Sequence, residues 1–265
     1  MLGWIFTVLL IVVTVATPLL GYGSAQIIPM QYVFFGTVVI WLLVVIIQRI
    51  VMQSIPKKCT MVAFDGSLLN PSAFSIEGRL LRQDFATISN PMLSNSRPPV
   101  AMLAMRHNQG SCFAAIYNPV TKQDLLATDL VSVLTFMDEN GTHQVLLTTG
   151  CLAEGGTVPF SADCLIQLFP NANVDTLLKE HWRAVDLLKQ KGLRLQSVKK
   201  SNFPSLLQNV SNRARSNFFA NPVWNALIVT MRSLTNQSPY LGPLAHQTGA
   251  LKKLDAMMPV KGDSA

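Results

Sequence analysis

The stretch "VSVLTFMDENGTHQVLLTTG", Val131 to Gly150, places two apolar, β-branched runs on either side of Asp-Glu-Asn-Gly-Thr. Val131–Met137 and His143–Gly150 have strand length, and Asn140-Gly141 offers the positive-φ positions that a tight turn favours. A β-hairpin follows from that pattern, and it fixes the class of the surrounding domain. Upstream, "VAMLAMRH" and "CFAAIYN" read as two more strands joined by Asn108–Ser111. Earlier still, "TMVAF" reads as a strand ended by Asp65-Gly66, and Ser89–Pro99 reads as a loop because Pro, Asn and Ser cluster there.

Downstream the period changes to that of helices. Ser161 is positioned to cap "ADCLIQLF", which Pro170 closes. Asn173 is positioned to cap "VDTLLKEHWRAVDLLKQK", with Gly192 as its stop. Val174, Leu177, Leu178, Trp182, Val185 and Leu188 recur there at helical spacing. "LRLQSVKK" then reads as a returning strand or sheet edge. Pro204 and Pro222 stand where first-turn prolines belong, opening helices near 205–218 and 223–234. The last of these is apolar but too short to span a bilayer, and Arg232 interrupts it, so core packing is its expected use. Strands first and helices later predict an α+β domain.

The 58 residues before this domain are of another kind. They contain no acidic side chain and only Arg49, Lys57 and Lys58 as basic ones, in a chain of 265 residues that is 49% hydrophobic and 13% charged. Soluble domains carry about 25% charged residues. Two nearly unbroken apolar segments, about 2–20 and 29–51, each approach the ~20 residues that a helix needs to cross a bilayer. The expected organisation is a transmembrane hairpin over 1–53, an α+β domain over 59–237 and an irregular basic tail over 238–265. A cleaved signal peptide is the competing reading of the first segment, which lacks a positive leading region but has small residues at "GYGSA". Arg49, Lys57 and Lys58 directly follow the second segment, whereas the connecting loop has no Lys or Arg. The positive-inside rule therefore puts the domain in the cytoplasm.

The lipid bilayer is accordingly an expected partner, along with a membrane or cytoplasmic protein. Residues from Leu193 onward contain nine basic and two acidic side chains, but they are scattered and lack interleaved aromatics, so nucleic acid is not an expected ligand. Cys59, Cys112, Cys151 and Cys164 match no Cys-x-x-Cys spacing and are expected as free thiols. The glycosylation-type triplets at Asn140, Asn209 and Asn236 carry no weight on the cytoplasmic side.

"VAFDGSLL", Val62–Leu69, resembles the first motif of the haloacid dehalogenase phosphatases, a strand ending in Asp-x-Asp-Gly-Thr/Ser. The resemblance covers about ten residues. Asp65, Gly66 and Ser67 match its second Asp, Gly and Ser, which leaves Ala63 at the nucleophile position. Alanine has no carboxylate to carry a phosphoryl group, so phosphoryl transfer does not carry over. Asp65-Gly66 is read as a turn.

No Gly-x-Ser-x-Gly elbow, HExxH or Walker loop occurs. Ser197-x-x-Lys200 is too short a pattern to carry weight, and the glycines of Glu154–Thr157 read as a loop. His107, Cys112, His143 and Cys151 are zinc-ligand types, but their spacing fits no standard site, and neither metal nor cofactor is assigned. His181 reads as a residue at the helix boundary between core and solvent. The expected function is a membrane-anchored, non-catalytic interaction or scaffold protein. The competing expectation is a hydrolase-type enzyme with a site assembled from Asp65, His107, Cys112, His143 and Glu154.

Overall fold

The Asp138–Gly141 turn closes the longest strand pair of the sheet. In the computed structural model, β6 (Ala127–Asp138) and β7 (Gly141–Gly150) pair antiparallel from Asp129↔Gly150 to Asp138↔Gly141. Gly141 alone takes a positive φ, +123°; Asn140 does not, because the Asp138 carboxylate accepts its N–H at 2.7 Å and holds the turn closed. The structure describes residues 61–88, 91–94, 99–151, 163–220, 225 and 240–258, together with seven helical positions between 35 and 46.

Around this hairpin lies a mixed sheet of nine strands, and the domain is α+β. β1 (Met61–Ala63), β3 (Met92–Ser94), β4 (Val100–His107), β5 (Phe113–Pro119), β6, β7 and β8 (Cys164–Leu168) follow one another across it. β2 (Phe85–Thr87) pairs with β4, and β9 (Arg194–Gln196) pairs with β6. All neighbours are antiparallel except β7 and β8.

Three elements depart from the sequence reading. The segment expected as a capped helix is β8, all five residues of which are buried. A strand covered on both faces reads as one apolar run, which short-range periodicity cannot tell from a buried helix. β3 lies inside the expected loop, where three residues suffice to join β1 to β4. Helix α1 (Ser72–Leu81) lacks an acid in its first turn, and its start signal is the pair Asn70-Pro71: Asn70 Oδ1 accepts the Ser72 N–H at 2.8 Å and Pro71 takes a helical φ of −55°.

Helix α2 (Val174–Gln190) does form as its caps require. Asn173 Oδ1 accepts the Thr176 N–H at 2.9 Å, and Gly192 leaves the helix at φ +101°. Asn173→Ala is expected to lower stability by about 1 kcal/mol, read as a fall in melting temperature. An unchanged melting temperature would remove the cap from the account.

α1 and α2 cover one face of the sheet, burying Leu80, Leu103, Ile116, Leu130 and Leu177. Farther along that face, Val185 and Leu188 meet Leu134 and Leu147. Helix α3 (Phe203–Ala220) begins on the other face, where Phe203 meets Phe113 with ring centroids 5.2 Å apart. The stretch expected as an irregular tail contains helix α4 (Thr248–Asp255), whose Leu254 is fully buried beside α2 and whose Asp255 pairs with Lys191 at 2.7 Å. Lys252 and Lys253, adjacent in its last turn, interrupt that short apolar stripe.

Among the described residues no helix is long and apolar enough to cross a membrane. The hydrophobic segments 2–20 and 29–51 lie outside the described residues, apart from those seven helical positions.

Candidate functional site

Of the described residues singled out by chemistry, His107 and Cys112 are neighbours, the His107 backbone N–H donating to the Cys112 carbonyl at 2.9 Å. Asp65 is exposed in the turn after β1, where its Oδ1 accepts the Ser67 N–H at 2.9 Å and the Ser67 hydroxyl at 2.6 Å. Those bonds hold its carboxyl below the usual range. His107 ends β4, edge-on to Phe85 and Trp182 at 5.2 and 5.6 Å, and partial burial lowers its pKa. His143 stacks on Phe136 at 5.0 Å, with its Nε2 2.8 Å from Asp138 Oδ1. Glu154 lies outside the described residues. His143 and Cys151 stand eight residues apart along one extended strand, a separation of about 27 Å at ~3.4 Å per residue. They cannot close one zinc site with His107 and Cys112. Among the described residues no group of three His, Cys, Asp or Glu is placed to hold a metal. Cys112, Cys151 and Cys164 are free thiols.

Cys112 leads to a cluster that spacing did not reveal. It is buried, and its Sγ lies 3.5 Å from Nε2 of His181, which is fully buried rather than at the helix boundary. His181 Nε2 is 2.8 Å from Ser132 Oγ, and Nδ1 is 2.8 Å from Thr149 Oγ1. The neighbours fix the direction of each bond. Gln167 Nε2 donates to Thr149 Oγ1 at 2.7 Å, so the Thr149 hydroxyl is free to donate to Nδ1. Ser132 donates to the Ser111 carbonyl at 2.9 Å, so its Oγ accepts from Nε2–H. Gln167 is itself held by the Glu180 carbonyl at 3.0 Å and accepts from the Leu244 N–H at 3.0 Å. One neutral tautomer, with the proton on Nε2, satisfies the whole line.

That wiring determines what the cluster can do. A nucleophilic serine must give its proton to the imidazole; here Ser132 receives one from it. Burial pushes the Cys112 thiol up to about 12 and the His181 imidazole down to about 3, so desolvation favours the neutral form of each. The cluster therefore welds α2 to β6, β7 and β8. The sequence did hold one clue: His181 falls on the apolar stripe, four residues from both Leu177 and Val185.

A second polar pair lies on the opposite face. Asp129 of β6 accepts the Tyr117 hydroxyl at 2.8 Å, and burial lifts its carboxyl to about 6 against the pull of that bond. Its cross-strand neighbour is Gly150, and a Cβ there would overlap Asp129 Oδ1. Beside it, the Thr128 N–H donates to Cys151 Sγ at 3.1 Å. A carboxyl near neutrality with a phenolic partner has the equipment of a proton donor.

Comparison with known protein families, with curated proteins and with solved structures finds no match to this chain.

Proposed function

We propose that this chain is a membrane-anchored interaction protein, with helices over about 2–20 and 29–51 holding the α+β domain at the cytoplasmic face to bind a protein partner. One observation carries the reading. The described cluster that joins Cys, Ser and His is sealed in the core and wired as a structural bond rather than as a nucleophile. The anchor is supported by Phe35, Val39, Leu42, Leu43 and Ile46, helical positions that leave more than half of each apolar side chain uncovered. Five such side chains in water would oppose solubility, whereas lipid accommodates them.

Topology is the decisive test. Cys112 and Cys164 are buried and make poor reporters, so an accessible thiol is introduced as Lys122→Cys in the exposed β5–β6 connection. The chain is expected to stay with membranes through alkaline carbonate. A membrane-impermeant maleimide should reach the new thiol only in permeabilised cells. Release by carbonate overturns the anchor, and labelling of intact cells overturns the cytoplasmic placement.

A second reading, a membrane-anchored hydrolase-type enzyme, is favoured by Asp129 alone. Under it, Asp129 with Tyr117 supplies the acid.

A further inference from the structure

The face that α1 turns away from the core carries Phe74 and Leu81, each 50% exposed, with Gly78 between them. These positions fall at i, i+4 and i+7, on one stripe of the helix. Ala73 and Leu80, buried, mark the adjoining core-facing stripe, about 100° round the helix. Val62 of β1, 66% exposed, belongs to the same side of the sheet: it pairs with Leu93, which packs under α1, while Met61 and Met92 pack on the other face. The Phe74 ring also reaches to 4.0 Å of the place where a Cβ on Gly66 would lie, which links α1 to the end of β1.

Basic side chains of α1 border this patch, and the exposed Asp65 follows β1. Glu77, the one acid of α1, is half-buried and accepts the Thr87 hydroxyl at 2.8 Å. Arg79 and Arg82 are exposed. Asp175 holds Arg79 only loosely, at 3.8 Å. Nine residues, including Lys57 and Lys58, separate Val51 from Met61. At full extension they reach about 35 Å, so an anchor ending at Val51 keeps β1 close to the bilayer.

We infer that the β1–α1 face is a membrane-contact surface, in which Val62, Phe74 and Leu81 enter the headgroup region while Arg79 and Arg82 meet anionic phosphates. The inference rests on the anchored reading proposed above. An apolar stripe rimmed by arginines is the chemistry of interfacial helices, and basic residues near such a surface gain from anionic lipid.

The test uses the full chain reconstituted in vesicles of phosphatidylcholine and phosphatidylglycerol. The photoreactive residue p-benzoylphenylalanine replaces Phe74, Leu81 or, as an exposed apolar control outside the patch, Met137 of the β6–β7 hairpin. After irradiation, lipid adducts at 74 and 81 are expected several-fold above those at 137. Arg79→Glu with Arg82→Glu should bring the yield at 74 down to the control level without releasing the chain. If the chain floats with the vesicles but 74 yields no more lipid adduct than 137, the contact is overturned and the anchor stands. If 74 crosslinks to protein instead, the face belongs to a second copy or another protein, and the lipid contact is again overturned. A chain that does not float overturns both.

Discussion

His181→Ala is expected to cost about 3 kcal/mol of stability at pH 7, from the cavity left in the core and the lost bonds to Ser132 and Thr149. The cost should depend on pH. Unfolded, the imidazole takes a proton below its ordinary 6.5; folded, burial withholds one until about 3. The unfolded state thus binds more protons across that window, and the native protein loses about 1.4 kcal/mol per unit as pH falls through it. Alanine has no such slope. By pH 4.5 the difference between the two proteins should shrink by roughly 2–3 kcal/mol, as measured by urea unfolding of the detergent-solubilised chain at both pH values. A difference that stays constant would show that His181 is not held neutral, and the proposed line of bonds would be wrong.

Asp129→Asn should act with the opposite sign. A carboxyl lifted from 3.8 to about 6 holds its proton in the folded state while the unfolded chain has already released one. Its contribution is fully present below pH 3.8 and is lost as pH rises through 6. Asparagine keeps a neutral side chain at every pH, so the variant should match the native protein near pH 4 and exceed its stability by about 2 kcal/mol at pH 7.5. The same unfolding series reads this, and equal stabilities at both pH values would sink it. A substitution that stabilises a protein by removing a carboxylate is a known mark of a group kept for function. That outcome would strengthen the enzymatic reading. Between about pH 4 and 6 the slopes of His181 and Asp129 cancel in the native protein, so only the single variants expose them.

The elements legible in the sequence were those whose signals are local. The β6–β7 hairpin announces itself at Asn140-Gly141, and α2 at Asn173 and Gly192. β8 was read as a helix because its partner, β7, is parallel and reached by a long connection. Nothing between Ser161 and Pro170 records that partner. α1 has no acid in its first turn and Gly78 weakens its middle, so Asn70-Pro71 is the local mark of its start. The His181 cluster is hidden for a further reason. Cys112, Ser132, Thr149 and Gln167 come from the approach to β5 and from β6, β7 and β8, and only the folded sheet brings them beneath one turn of α2. Asp129 carries no local mark either, since Tyr117 and Gly150 reach it from the two strands beside it.

β6 has one edge filled by β7, but its other edge is shared. β5 covers Ala127 to Val131, and the three residues of β9 cover Val133 to Thr135. Those three residues follow α2 directly, so anything that loosens α2 also uncovers unpaired backbone within "DLVSVLTFM", among the most apolar strands of the chain. Open edges of that composition recruit strands from other molecules. The sealed histidine thus guards against self-association as well as unfolding. Acid strong enough to charge it is expected to loosen α2 and open that edge.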